Sequence, residues 1–437
     1  MKSLTTASKA GRRFRVPSRR QPGIGAPREL TIDAVGAQGD GLAEGLFVPL
    51  TLSGERILAD VEGERGRLIE VLSPSPDRVV PPCPHFGVCG GCALQHWARE
   101  PYLAWKVERI GETLAREGLS AEILTPFGAP PGSRRRLALH ARRESGRVVL
   151  GFKGRRSWRV GRIDSCVVAE PGLVAALQAL AAIAEPFLEH PSSAPTLHVT
   201  ATLTGLDIDV TGVEAKSGGL SADARLRAAD AAAKADVARV SLAGEVIFQA
   251  RAPMVRMGEA TVALPTGAFL QAVPEAEMAM AAFAIEGVAG AGRIADLYCG
   301  VGAFTFPLAR IAPVRAADVS AGAIRALASA IATAPGLKAI AAEARDLDRR
   351  PVLAAELSGV DAVVIDPPRA GAAVQCREIA RSGVARVVGV SCNPATFARD
   401  ARILVDGGFR LETVLPVDQF LWSPHIELAA LFSRESH

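Results

Sequence analysis

The sequence predicts an α/β protein in three parts: a small N-terminal β-barrel, a central α+β region with a cysteine-rich loop, and a C-terminal Rossmann-like domain with a seven-stranded sheet. Three observations predict it. From about residue 283, short apolar runs alternate with stretches of helical spacing, the rhythm of a doubly wound sheet. Residues 28–80 instead alternate apolar runs with Gly-rich turns, the rhythm of a small barrel. Between them Cys83, Cys89 and Cys92 crowd a Gly/Pro loop, with Cys166 far downstream. A chain of 437 residues suits about three domains.

Residues 1–27 read as a basic, disordered tail. Residues 1–28 hold eight Lys/Arg and no acid, and the tail lacks the apolar core of a secretory signal. Its acid-poor, Arg- and Ser-bearing composition leaves a transit peptide open. Strands are expected at Glu29–Val35, Leu46–Leu52, Arg56–Val61 and Arg67–Leu72, with Gly36–Gly45 as a turn region. Pro74, Pro76, Pro81 and Pro82 mark a linker. Residues 97–118 have helical spacing and end at Gly118. Residues 81–265 form the central region, with alternation in Leu197–Val210 about a Thr204-Gly205 turn and an Ala-rich helix over 221–236. Residues 134–162 carry eleven Lys/Arg against Glu144 alone, so although net charge is only +4, two basic blocks point to a polyanionic partner. No apolar run is long enough for a membrane span. Seven unevenly spaced cysteines argue against a secreted disulfide framework and for a reducing cytoplasm.

The C-terminal domain is placed at 266–437, with strands at Arg293–Tyr298, Val314–Asp318, Ala339–Ala342, Ala362–Ile365, Arg386–Val390, Arg410–Leu415 and Glu427–Phe432. Asp296-Leu297-Tyr298-Cys299-Gly300-Val301-Gly302 follows the first of these strands and opens a helix, so its glycines let a ligand lie against the backbone. Asp318 ends the next strand, where an acid holds ribose hydroxyls. Thr305 stands at the third glycine position of the dinucleotide fingerprint, and no P-loop lysine is present. A nucleoside cofactor without pyrophosphate fits better, which points to S-adenosylmethionine. Asp366, before Pro367-Pro368-Arg369, ends the fourth strand at the same edge.

Cys392 sits between a buried strand and a helix for which Asn393 is a good N-cap and Pro394 a good first residue, closed by Gly407-Gly408. A helix N-terminus favours a thiolate, so a nucleophile is expected. Glu427 heads an apolar strand. If that strand is antiparallel it begins at the ligand edge, where a partly buried carboxylate is a tuned base.

On Asp296–Thr305, Asp366–Arg369, Ser391–Asp400 and Asp418–Glu427, together with Phe269-Leu270-Gln271, the chain resembles the S-adenosylmethionine-dependent RNA uracil-5-methyltransferases from about residue 28 to its end. Its front half resembles the branch that carries a TRAM barrel and an iron–sulfur cluster and acts on large-subunit ribosomal RNA. The resemblance implies that Cys392 adds to C6 of uracil, that C5 takes the methyl group, and that Glu427 removes the C5 proton. It assigns Gln271, Tyr298, Asp318 and Asp366, with Gly300 and Gly302, to the cofactor, and sets Phe269 beside the flipped target base. Ala303, Val273 and Leu421-Trp422-Ser423-Pro424 depart from the family pattern.

Four thiolates from Cys83, Cys89, Cys92 and Cys166 suit a [4Fe–4S] cluster, which the resemblance favours; His85 and His96 keep zinc open. Arg134, Arg135, Arg136, Arg142, Arg143, Arg155, Arg156 and Arg159, interleaved with Phe152 and Trp158, are candidate RNA contacts. The expected protein is a monomeric 5-methyluridine methyltransferase for structured RNA, with ribosomal RNA favoured over tRNA. Amino methylation, suggested by Asp-Pro-Pro, and a non-catalytic RNA-binding iron–sulfur protein are the competing expectations.

Overall fold

The computed structural model describes residues 27–216 and 218–434; the basic tail expected over 1–27 lies outside the described residues but for Pro27. Two compact units form. The first holds described residues 27–87 with 92–102 and 422–424. The second holds 88–91, 103–421 and the C-terminal stretch from His425.

In the first unit six strands lie in the order Pro27–Thr31, Arg56–Glu62, Arg65–Ser73, Leu46–Pro49, Asp40–Ala43 and Ala34–Val35. Leu30, Ile32, Val48, Ile57, Ala59 and Val71 fill its core. The expected Glu29–Val35 strand is two strands. Ile32 bonds back to Glu55 and Asp33 to Leu42, so the chain changes partner between them. The expected turn over Gly36–Gly45 also holds a strand. Gly41 lies within it because a Cβ there would sit 2.1 Å from Thr51 Oγ1, so this glycine serves close packing rather than a turn. Buried Glu55 takes Arg78 Nη2 at 2.7 Å and fastens the segment that follows the sheet.

The second unit contains two large sheets. One runs Val160–Arg162, Arg147–Lys153, Arg136–Glu144, Thr196–Thr202, Gly205–Thr211, Arg239–Leu242 and Glu245–Gln249. It is antiparallel except where Gly205–Thr211 pairs with Arg239–Leu242. That parallel pair needs a crossover, supplied by the helix Ala222–Lys234, whose N-cap Ser221 accepts the Ala224 N–H.

The other sheet carries all seven strands expected of the C-terminal domain. Their order is Ile340–Ala344, Val314–Asp318, Ile294–Leu297, Ala362–Ile365, Arg386–Ser391, Glu427–Ser433 and Arg410–Asp418. The first five are parallel; Glu427–Ser433 is antiparallel to both of its neighbours. Both faces are apolar, one in a core with Ile294, Phe306, Val364 and Val388, the other in a core with Leu297, Val363, Val387 and Phe432. Two short strands the sequence did not announce, Glu122–Ile123 and Phe127–Gly128, add to Arg410–Asp418. The helix expected over 97–118 is Arg99–Arg116, and its Ile110 and Leu114 join the second of those cores. Among the described residues no helix is long and apolar enough to cross a membrane.

Candidate active site

Ligands bind in such sheets beyond the carboxyl ends of the parallel strands, and a cavity of about 920 Å³ opens there. Tyr298, Gly300, Asp318, Asp366, Cys392, Gln271 and Glu427 all line it.

Of the two loop glycines named from the sequence, Gly300 is among the residues that line the cavity and Gly302 is not. Gly300 (φ 54°) and Gly302 (φ 100°) are left-handed. A Cβ on Gly302 would strike the Phe306 ring at 2.7 Å, whereas one on Gly300 would meet nothing within 4 Å. That open ground at Gly300 is room for a ligand against bare backbone. Asp318 Oδ2 accepts the Gly300 N–H at 2.9 Å, and Oδ1 accepts that of Ser320 at 2.7 Å, so the carboxylate is held at the loop. Thr305, where a dinucleotide fingerprint has glycine, donates its hydroxyl to fully buried Asp296. Among the described residues the other oxygen of Asp296 has no partner, and burial pushes this carboxyl up to about 7. Tyr298 adopts a left-handed backbone (φ 62°), uncommon for a bulky residue, and its hydroxyl donates to Asp348 at 3.0 Å. Asp346 and Asp348 also line the cavity. Their position is set by the Ile340–Ala344 strand, but no motif in the sequence announced them.

Cys392 follows Ser391, which pairs with Leu428 in the antiparallel ladder. Continued one step, that register sets Cys392 across from Glu427. The strand direction therefore brings Glu427 to the ligand edge. Asn393 caps the next helix, its side chain accepting the Ala395 N–H at 3.2 Å. The expectation of a thiolate favoured by that helix end needs correction. Burial, then the charges of Glu427 and Asp366, push the Cys392 thiol above its usual range, and Arg369 opposes them only in part. Burial also raises Glu427 to about 7 against a hydrogen bond from Gln419. Asp366 is held well above the ordinary carboxyl range by burial, then by Glu427 and Asp296.

A web of amides joins these groups. Gln271 Nε2 donates to Asp366 at 3.1 Å, and Gln419 Nε2 donates to Gln271 Oε1 at 2.7 Å and to Glu427. Gln419 is buried; it falls within the Asp418–Glu427 segment, but the sequence assigned it no role. Lys106 is another residue that sequence reasoning missed. It is fully buried, donating to Asp418 at 2.6 Å and to the Phe420 carbonyl at 3.2 Å.

The arginine triplet divides. Arg135 is buried against Glu277 at 2.7 Å and donates to the Gln271 carbonyl, so it braces the cavity wall and is unavailable to RNA phosphate. Arg136 is spent on the carbonyls of Leu270 and Ala268 while lying 5.5 Å from the Phe269 ring. Arg134 lines the cavity beside Phe420. Phe269 is 70% exposed at this cavity. Val273, a departure from the family pattern, is buried and heads the helix Pro274–Gly287 without a side-chain cap.

None of the seven cysteines is in a disulfide. Among the described residues no group of three or more His, Cys, Asp or Glu side chains gathers as a metal site. Cys83 and Cys92 belong to the first compact unit, and Cys89 and Cys166 to the second.

A family profile described as tRNA (Uracil-5-)-methyltransferase matches residues 255–435. An uncharacterized RNA methyltransferase of Caulobacter vibrioides is 64% identical over 414 residues, covering 93% of this chain and 100% of that protein. The 23S rRNA (uracil(1939)-C(5))-methyltransferase of Chromohalobacter salexigens is 34% identical, covering 93% of this chain and 89% of that one. The fold matches the crystal structure of a Pyrococcus abyssi tRNA (uracil-54, C5)-methyltransferase in complex with S-adenosyl-L-homocysteine (TM-score 0.71, 23% identity, 92% of this chain and 99% of that one).

Proposed function

The chain belongs to the RNA (uracil-5-)-methyltransferase family, and on that premise we propose that it forms 5-methyluridine in 23S ribosomal RNA, working as a cytoplasmic monomer. The observation that carries this reading is that Cys392 and Glu427 line one cavity, each next to a member of the Ser391–Leu428 pair that ends the antiparallel ladder. An enzyme that methylates an amino group needs no such nucleophile.

The cofactor would be held by Gln271, Tyr298, Gly300, Gly302, Asp318 and Asp366; the bare backbone at Gly300 and the fixed Asp318 carboxylate suit a nucleoside. Bound S-adenosylmethionine supplies an electrophilic sulfonium methyl and leaves as the neutral thioether. The chain's own groups do the rest. Cys392 Sγ, as thiolate, bonds to C6 of the uracil, and the C5–C6 π pair becomes available at C5. C5 takes the methyl group. The Glu427 carboxylate then removes the C5 proton, the double bond re-forms, and Cys392 leaves as thiolate. A carboxyl at about 7 is partly ionised at neutral pH and is a stronger base than an ordinary glutamate. Phe269 and Arg134 are the RNA contacts of this reading at the cavity, with Trp158 and its neighbouring arginines farther out.

The cysteine set is proposed as a [4Fe–4S] site on spacing and family resemblance alone, and no step runs through it. Iron and sulfide analysis of anaerobically purified protein tests it, and a zinc-loaded, colourless protein overturns it.

RNA containing 5-fluorouridine tests the reaction, because fluorine at C5 cannot leave as a proton. The expected result is a stable Cys392–RNA adduct that Cys392→Ser abolishes together with turnover. Methylation that survives Cys392→Ser refutes the mechanism. Labelled cofactor with total RNA from a deletion strain tests the substrate, with label expected in 23S RNA; label in tRNA overturns that choice.

A further inference from the structure

Gln419 stands at the end of the Arg410–Asp418 strand, buried, with every hydrogen-bonding position of its amide used. Its Oε1 accepts the Ala272 N–H at 2.9 Å and the Val273 N–H at 3.3 Å. Backbone N–H groups only donate, so the orientation of the amide is fixed by its partners. Nε2 must face the other way, where it donates to Gln271 Oε1 at 2.7 Å and to Glu427 Oε2. Gln271 is thereby oriented in turn, with its own Nε2 on Asp366.

The two carboxyl oxygens of Glu427 are consequently not equivalent. Oε2 is engaged as an acceptor in every cycle, which leaves Oε1 to collect a proton. We propose that Gln419 is a positioning residue that selects the proton-accepting oxygen of Glu427 and holds it ready for the C5 proton. This inference rests on the reaction proposed above. It places the effect of Gln419 after methyl transfer, at the release step, in which the C5–H bond breaks, the proton goes to Glu427, and the Cys392–C6 bond breaks to restore the ring. Its hydrogen bond also favours the charged carboxylate.

The test is Gln419→Leu, close in volume and without donor or acceptor, assayed with methyl-labelled cofactor on substrate RNA and resolved on denaturing gels. Wild-type protein should show little trapped label. The variant should accumulate labelled, methylated RNA covalently bound through Cys392 and release product roughly ten- to a hundredfold more slowly, the scale of one hydrogen bond to a charged group. Without the donor the carboxylate is harder to ionise, so the rising limb of release should move to higher pH. A rate of adduct formation close to wild type shows that the cavity is intact. Gln419→Met, also without a donor, carries the same test should the leucine variant fail to fold. Release within twofold of wild type in a folded variant overturns the proposal, as does loss of adduct formation itself, which would put Gln419 before methyl transfer. Failure of wild-type protein to form any adduct with 5-fluorouridine RNA overturns the reaction instead, so the two failures are distinguishable.

Discussion

Replacing Glu427 by glutamine should stabilise the fold at neutral and alkaline pH while abolishing turnover. Glu427 is 3% exposed, and burial lifts its carboxyl from 4.5 to about 7. The folded protein therefore binds a proton more tightly than the unfolded chain. The stability this proton confers is fully present below about pH 4.5 and is lost as the pH rises to about 7. At roughly 1.4 kcal/mol per pH unit, the loss above pH 7 comes to about 3 kcal/mol. Glutamine does not titrate, and its carbonyl can still accept from Gln419. The variant should thus exceed wild type by about 3 kcal/mol near pH 8 and by little near pH 5. Asp366, raised partly by Glu427, should return toward its usual range and add to the gain. Denaturant unfolding of both proteins across that pH range measures it. Equal stabilities at high pH, or a gain that does not change with pH, would refute the assignment of a buried, uncompensated carboxylate.

Lys106→Met should cost about 3–5 kcal/mol, because it leaves Asp418 buried without its cation; unfolding curves at neutral pH check it. Gly302→Ala should destabilise by about 1–3 kcal/mol and weaken cofactor binding measured by calorimetry, since its Cβ meets Phe306 at 2.7 Å on a left-handed backbone. Cys392 should become more reactive toward iodoacetamide near pH 8 in Glu427→Gln, and less reactive in Arg369→Ala, because those side chains push its thiol in opposite directions. Mass-spectrometric alkylation rates read both.

The centre of the C-terminal sheet was legible because strands such as Ala362–Ile365 and Arg386–Ser391 are short, rich in valine and buried on both faces, so they appear as apolar runs between helical stretches. Strands that are merely two residues long, such as Glu122–Ile123, carry no period and could not be read. The Asp40–Ala43 strand was hidden because Gly41 is a turn signal in sequence and a packing device in space. The chain places Cys392, Asp366, Asp318 and Glu427 at one cavity because each ends or begins a strand at the same sheet edge, a relation that strand order and direction already contain. What sequence could not give is environment. Lys106 sits in a helix of mixed charge and looks like any surface lysine until Asp418 meets it. Arg135 is one of three consecutive arginines, yet, just ahead of the Arg136–Glu144 strand, it is buried against Glu277. The Cys392 thiol is raised first by burial and then by carboxylates that lie 26 and 35 residues away in the chain.

The distribution of buried charge around Glu427 follows from the work proposed for it. A cation beside this carboxylate would stabilise it and draw its pKa back down, spoiling it as a base. The groups that touch it and Asp366 are instead neutral amides, Gln419 and Gln271. The nearby buried cations are each committed to another acid, Lys106 to Asp418 and Arg135 to Glu277. Both also bond to main-chain carbonyls next to the amides, Lys106 at Phe420 and Arg135 at Gln271 itself. The ion pairs thus fix the backbone that carries the two glutamines, and the glutamines fix the carboxyl groups without neutralising them. Rigidity comes from charge that is compensated, and basicity from charge that is not.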